Sequence, residues 1–132
     1  MSKPRKESRV LVVDDYENMR KRLCASLQRL GVHVAEATNG VEALERLRAE
    51  PFDIVFTDIV MPEMDGFELC EEIRDSAELN HLAIVVVSTH YDARYIIRAL
   101  RLGADDYLPK PIEDSLVEQV YDRVTTPVSL GG

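Results

Sequence analysis

Polar side chains follow the apolar segments of this chain, and they are the candidates for chemistry. Two acids come directly after the first apolar segment, another acid ends the third, a hydroxyl follows the fourth, and a lysine follows the last: Asp14, Asp15, Asp58, Ser88 and Lys110. Carboxylate oxygens are the ligands that Mg²⁺ prefers. A carboxylate beside Mg²⁺ and an ammonium can act as a nucleophile towards phosphorus. If folding brings these groups together, they form a magnesium site able to make an aspartyl phosphate on Asp58.

The elements that must position these groups alternate between strands and helices. Short apolar segments predict five strands, at Val10–Val13, Val32–Ala37, Phe52–Asp58, Leu82–Val87 and Asp106–Leu108. Apolar residues at helical spacing predict a helix after each strand; Asn39 caps the second, and Gly31 and Gly103 end the first and fourth. This alternation predicts a doubly wound α/β fold. We expect a five-stranded parallel sheet of flavodoxin-like order 2-1-3-4-5, with helices on both faces.

In such a sheet the carboxyl ends of all strands lie at one edge, and the first and third strands are neighbours. Asp14, Asp15 and Asp58 would then share a cleft with Ser88 and Lys110. Two carboxylates about 4 Å apart repel by roughly 4 kcal/mol at an effective dielectric constant near 20. Lys110 offsets part of this repulsion, and a divalent cation would offset more. The cluster therefore predicts a weak Mg²⁺ site.

Each of these residues also has a plainer interpretation. Asp14 and Asp15 could cap the first helix, since Asp is common at that position. Asp58 could simply start a turn at the end of its strand. Lys110, between two prolines, could be a solvated surface lysine. None of these alternatives explains why four strands end in polar groups at the same edge.

Length and composition set limits on the function. The 132 residues predict one domain with a sizeable core, which we place at 9–125, with a flexible arm at 1–8 and a tail or linker start at 126–132. A net charge of -8 argues against direct binding to nucleic acid or to an anionic membrane surface. Cys24 and Cys70 are expected to be reduced core residues of a cytoplasmic protein. The amino terminus has no signal-peptide pattern, and no apolar run is long enough to span a bilayer.

Taken in order, the motifs resemble the receiver domain of two-component response regulators. They are Val12-Val13-Asp14-Asp15, then Asp58 followed by Met61-Pro62 and Met64-Asp65-Gly66, then Ser88, and finally the run from Gly103 to Pro111. Each motif alone is weak, but their order and their spread over roughly residues 8 to 125 make the set specific.

The resemblance implies a role for each site residue. Asp58 would accept a phosphoryl group from a histidine kinase or a phosphotransfer protein. Asp15, Asp58 and the backbone carbonyl of Val60 would ligate Mg²⁺, and Asp14 would hold the ion through water. Lys110 would pair with the phosphoryl group and would precede a cis peptide bond to Pro111. Ser88 and Tyr107 would form the switch that responds to phosphorylation.

The resemblance also implies partners. A downstream protein or effector domain would bind the face of residues 91–124, where Tyr91, Tyr95 and Arg98 are expected to be exposed. The chain would be a monomer or a phosphorylation-dependent dimer, and would assist its own phosphorylation and dephosphorylation without being an enzyme. Val60 and His90 occupy positions that border the path of the attacking water in the family. Because Val60 is apolar, we expect slow loss of the phosphoryl group.

Two other functions remain open at this stage. A pseudo-receiver would only bind partners, but the complete set of acids, hydroxyl and lysine argues against it. A phosphohydrolase that forms an aspartyl phosphate on a related sheet typically has two acids separated by one residue on the first strand. Here Asp14 and Asp15 are adjacent, and Asp58 is on the third strand, which disfavours the hydrolase.

Overall fold

The computed structural model describes residues 3–90 and 92–126 of the chain, and it confirms the predicted sheet. Five strands are hydrogen-bonded in the order β2-β1-β3-β4-β5. All four strand pairs are parallel. The strands are β1 (Arg9–Val13), β2 (His33–Ala37), β3 (Ile54–Asp58), β4 (Ala83–Ser88) and β5 (Asp106–Pro109).

A helix follows each strand, as predicted: α1 (Glu17–Gln28), α2 (Gly40–Ala49), α3 (Gly66–Asp75), α4 (Ala93–Arg101) and α5 (Asp114–Thr125). Side-chain caps fix several of their starts. The Asn39 side chain accepts a hydrogen bond from the Glu42 N–H, as predicted for α2. Asp65 and Glu68 form a reciprocal capping box at the start of α3. Within the described part of the chain, every helix is too short or too polar to cross a lipid bilayer.

Alternate residues of the strands enter two separate cores, one on each face of the sheet. Val10, Val12 and Phe56 pack on the face covered by α1 and α5. Leu11 and Val55 pack on the face covered by α2 and α3. Burial on both faces explains why the strands read as continuous apolar runs in the sequence. It also holds the strand ends, and hence the polar residues that follow them, in a fixed frame.

The cysteines are buried and free, as expected for core residues. Cys24 belongs to the core under α1 and α5, whereas Cys70 belongs to the core on the opposite face of the sheet. Burial raises the pKa of Cys24 to about 11 and the pKa of Cys70 to about 12. Both thiols are therefore protonated at neutral pH and unreactive.

The amino-terminal segment, predicted as a flexible arm, contacts the domain through the residues that the structure describes. A short 3-10 turn spans Arg5–Glu7. The Arg5 guanidinium lies 3.0 Å from a Glu118 carboxylate oxygen and 3.1 Å from one of Asp122 on α5. Lys3 forms an ion pair of 2.9 Å with Asp53. Met1 and Ser2, and residues 127–132 of the predicted tail, lie outside the described residues.

A close backbone contact at Gly66 shapes the loop between β3 and α3. The Gly66 N–H donates to the Ile59 carbonyl at 2.7 Å, so the loop folds back onto the end of β3. A Cβ atom at Gly66 would lie 2.2 Å from the Asp58 carbonyl oxygen and 2.9 Å from the Ile59 Cα atom. Only glycine fits here without a shift of the backbone that carries Asp58.

We predict that Gly66→Ala destabilises the protein by about 2 kcal/mol, because the added methyl group overpacks against backbone that cannot move away cheaply. Denaturant unfolding measures this change. Gly31→Ala is the matched control: its φ is +85° and nothing lies within 4 Å of an added Cβ. We expect it to cost only about 1 kcal/mol, from left-handed backbone strain. Equal stability of Gly66→Ala and wild type would show that the contact is not tight.

Candidate phosphoacceptor and metal site

Strand register places Asp14 beside Asp58. In the parallel pairing of β1 with β3, Val13 is the partner of Thr57. The residues that follow these partners, Asp14 and Asp58, therefore emerge from neighbouring strands at the same edge of the sheet. Asp14 is buried, with 5% of its surface exposed.

Asp15 completes a cluster of three carboxylates. One oxygen from each of Asp14, Asp15 and Asp58 lies within 4.8 Å of the other two. The three side chains differ in burial: Asp14 is buried, Asp58 is half-buried and Asp15 is exposed. This set of hard oxygen donors, open to water at Asp15, fits a Mg²⁺ ion that retains part of its hydration shell. The convergence predicted from the sequence is thus present in the fold.

Lys110 lies between two of these acids. Its Nζ atom is 3.0 Å from Asp14 Oδ2 and 3.3 Å from Asp58 Oδ2. Lys110 is only 8% exposed, so the interpretation as a solvated surface lysine is wrong. Its backbone N–H donates to the Ser88 carbonyl at 2.9 Å, which fastens the end of β5 to the end of β4. The Lys110-Pro111 bond is cis, as the resemblance implied.

The environment of Asp58 opposes ionisation. Its pKa is raised above the ordinary value, chiefly by burial and further by the charge of Asp14. Lys110 and a 2.8 Å hydrogen bond from the Ile59 N–H to Asp58 Oδ1 act in the other direction without cancelling the rise. When all three acids are ionised, three negative charges face the single positive charge of Lys110. A divalent cation matches the excess.

The alternative in which Asp14 and Asp15 cap α1 is not what the structure shows. The residue at the cap position is Tyr16, and no side chain caps this helix. Asp14 Oδ1 instead accepts a hydrogen bond of 2.9 Å from the Tyr16 N–H. This local bond orients the Asp14 carboxylate and leaves Oδ2 to Lys110.

The side chains of Ser88 and Tyr107 both bond the backbone of His90. Ser88 is buried, and its Oγ accepts a hydrogen bond of 3.1 Å from the His90 N–H. The Tyr107 hydroxyl donates to the carbonyl of the same residue. Ser88 follows Val87, the register partner of Asp58, so its hydroxyl lies at the edge of the sheet that carries the acids. The His90 backbone therefore connects the two predicted switch residues.

The side chain of His90 belongs to a stack that sequence reasoning missed. Its ring lies 4.4 Å from the ring of Tyr95 on α4, with an interplanar angle of 13°. Tyr95 in turn stacks on Phe67 of α3 at 6.3 Å, and the Arg98 guanidinium lies 4.2 Å from the Phe67 ring centroid. Tyr95 is consequently half-buried, not exposed as expected, while Arg98 is exposed. Tyr91 lies outside the described residues.

Val60 lies on the loop directly after Asp58 and Ile59, and 66% of its surface is exposed. Its roles as a carbonyl ligand of Mg²⁺ and as an apolar residue beside the path of the attacking water stay predictions.

The raised pKa of Asp58 leads to a prediction about stability without metal. A carboxyl whose folded pKa exceeds its unfolded value, about 3.9, makes the folded state less stable as pH rises through the range between the two pKa values. In EDTA, Asp58→Asn should therefore unfold at a higher temperature than wild type at pH 7. Below about pH 4 the gain should vanish. Thermal melts across this range measure it, with Asp53→Asn as a control outside the cluster. A destabilised Asp58→Asn at pH 7 would contradict the assigned direction.

Known proteins share both the sequence pattern and the fold. A family model for the response regulator receiver domain matches residues 10–122. Chemotaxis protein CheY-3 of Vibrio cholerae is 33% identical over 120 residues, which cover 90% of this chain and 92% of that protein. A probable transcriptional regulator, ycf27, of Guillardia theta is 38% identical over 112 residues, which cover 85% of this chain and 43% of that protein. The chain thus spans about half the length of ycf27 relatives.

Solved structures agree with this assignment. The chemotaxis response regulator CheY4 of Vibrio cholerae superposes with a TM-score of 0.84 at 29% identity, over 89% of this chain and 98% of that chain. A two-component response regulator from Clostridium difficile gives a TM-score of 0.82 at 25% identity, over 89% of this chain and 95% of that chain. The family match covers most of the chain, and the site has the acids and the lysine that the resemblance required. The chain belongs to the response regulator receiver domain family of two-component signal transduction.

Proposed function

We propose that this receiver domain accepts a phosphoryl group on Asp58 from a histidine kinase or a histidine phosphotransfer protein, in a reaction that requires Mg²⁺. The observation that carries the proposal is the convergence of Asp14, Asp15 and Asp58 within 4.8 Å, with Lys110 within 3.3 Å of Asp58. This arrangement lowers the stability of the folded state, because it gathers like charges in a partly buried cleft. A contribution to stability therefore does not explain it.

The chemistry follows from the charges around Asp58. One carboxylate oxygen of Asp58 forms a bond to phosphorus, while the bond from phosphorus to the donor imidazole nitrogen breaks. That nitrogen keeps the electron pair and later takes up a proton from water. Lys110 already contacts Asp58 Oδ2, and after phosphorylation its ammonium would pair with the phosphoryl oxygens. Bound Mg²⁺ would supply further neutralisation of phosphoryl charge.

Through Ser88 and Tyr107, the charge added on Asp58 would change the conformation of the surface of the domain. As an acceptor in its bond with His90, the Ser88 hydroxyl keeps its proton for another acceptor, and a phosphoryl oxygen on Asp58 is one candidate. If Ser88 turns towards it, the His90 N–H loses its partner. The loop that also holds the Tyr107 hydroxyl and stacks on Tyr95 would then adjust. The resulting change would reach the face of residues 91–124, where we propose a downstream protein or effector domain binds.

The same proposal covers the remaining expectations from the sequence. The domain would assist its own phosphorylation and dephosphorylation without acting as an enzyme on other substrates. It would act in the cytoplasm, where its kinase domain partners and reduced thiols are found. It would be a monomer that dimerises, if at all, on phosphorylation. Direct binding to nucleic acid is not proposed, given the net charge of -8.

We predict that incubation with a small-molecule phosphodonor and Mg²⁺ adds a single phosphate, detected by intact-mass measurement. EDTA should abolish the adduct, since the single ammonium of Lys110 does not neutralise three acids. Asp58→Asn should also lack it, and Asp53→Asn should retain it as a control for acid removal elsewhere. A chain that stays unmodified would indicate a pseudo-receiver. Repeated turnover of a generic phosphate ester would instead indicate a phosphohydrolase.

Loss of the phosphoryl group should be slow because Val60 offers no polar group to orient water. We predict that Val60→Asn shortens the lifetime of the Asp58 phosphate several-fold, since an amide can hold the attacking water that valine cannot. Decay of the adduct after removal of the donor measures this lifetime. Val41→Asn, another exposed valine but on α2, is the control. Equal lifetimes for Val60→Asn and wild type would remove the argument.

A further inference from the structure

Arg20 is not among the acids, the hydroxyl and the lysine that carry the chemistry, but it contacts one of the acids, Asp14. It lies on α1, and its side chain is only 11% exposed. One nitrogen of its guanidinium donates to the Asp14 carbonyl at 2.9 Å. Another, Nε, donates to Glu36 Oε1 on β2 at 2.8 Å. The side chain therefore bridges three elements at the point where β1 ends.

The bond to the Asp14 carbonyl fixes the peptide unit between Asp14 and Asp15. The Asp14 N–H donates to the Ala37 carbonyl at 3.1 Å, and Asp14 Oδ1 accepts from the Tyr16 N–H. With Arg20 on its carbonyl, Asp14 is held at its N–H, at its C=O and at its carboxylate. Asp15 is exposed, so the direction of its carboxylate depends on this peptide unit more than on packing.

The ion pair with Glu36 holds the Arg20 guanidinium in place. Its second oxygen, Oε2, accepts from Lys21 at 2.8 Å. The hydrogen bond from Lys21, together with that from Arg20, holds the pKa of Glu36 below its ordinary value. Glu36 is thus ionised at neutral pH, and Arg20 is held by a charged partner on one side while it reaches the Asp14 carbonyl on the other. Lysine, with a single nitrogen, cannot span both acceptors in this planar geometry.

We propose that Arg20 is a positioning residue for the divalent cation: it holds the Asp14–Asp15 peptide unit in the orientation that lets both carboxylates face the ion. This inference rests on the proposed Mg²⁺-dependent function. A positioning role and a purely electrostatic role of Arg20 predict opposite changes in the affinity for Mg²⁺. Removal of a positive charge near a cation site should tighten cation binding, whereas loss of a positioning bond should weaken it.

The test is a calorimetric titration of MgCl₂ into wild type, Arg20→Lys and Arg20→Gln. Arg20→Lys keeps the charge and Arg20→Gln removes it, and both lose the two-point bridge. We expect Kd for Mg²⁺ to rise roughly tenfold in both variants, the scale found when a residue that orients a metal ligand is removed. Thermal melts in EDTA verify that each variant is folded.

Arg74→Gln provides the matched control. Arg74 also bonds one carboxylate, that of Asp105 at 3.0 Å, and a backbone carbonyl, that of Gly103 at 2.9 Å, but it does so beside the start of β5, at the opposite edge of the sheet from the acids. Its loss should leave Kd for Mg²⁺ unchanged even if the protein becomes less stable. A Kd for Arg20→Lys within about twofold of wild type, or tighter binding by Arg20→Gln, would overturn the positioning role alone. Failure of wild type to bind Mg²⁺ would refute the proposed function and this inference together.

Discussion

The parallel pairing of β1 with β3 brings two acids, Asp14 and Asp58, close together, and the other contacts of the site depend on this pairing. Because Val13 is opposite Thr57, Asp14 and Asp58 leave the sheet side by side. The chain then places Lys110 within 3.3 Å of both. One ammonium does not neutralise three carboxylates, so the folded protein retains a local excess of negative charge. This excess of negative charge makes the cluster suitable for binding a divalent cation.

Backbone contacts hold this charged edge in place. Gly66 lets the loop after β3 fold back against Asp58, and the Lys110 N–H ties β5 to the Ser88 carbonyl. The His90 peptide connects Ser88 to Tyr107, and its side chain stacks on Tyr95 of α4. A new charge on Asp58 would therefore act on a loop already bonded to the proposed output face.

Much of this could be predicted from the sequence, for a physical reason. Strands buried on both faces read as apolar runs, and polar residues at their ends stand out against them, so Asp14, Asp58 and Lys110 could be identified before any contact was known. Interactions between distant surface residues give no such signal. The bond from Arg20 to the Asp14 carbonyl and the contact of Arg5 with α5 depend on side-chain geometry that composition does not encode. The stack of His90 on Tyr95 is similar: neither ring has a distinctive pattern around it.

The most direct test of the central claim compares two salts at equal ionic strength. If the acid cluster is a cation site, the midpoint of thermal unfolding at pH 7 should rise with MgCl₂ concentration as ligand binding to the folded state requires, well beyond the effect of NaCl. The same excess should be absent in Asp15→Asn, which removes the exposed carboxylate. If MgCl₂ and NaCl raise the midpoint equally in wild type, the three acids and Lys110 do not form a specific divalent site, and the account fails at its base.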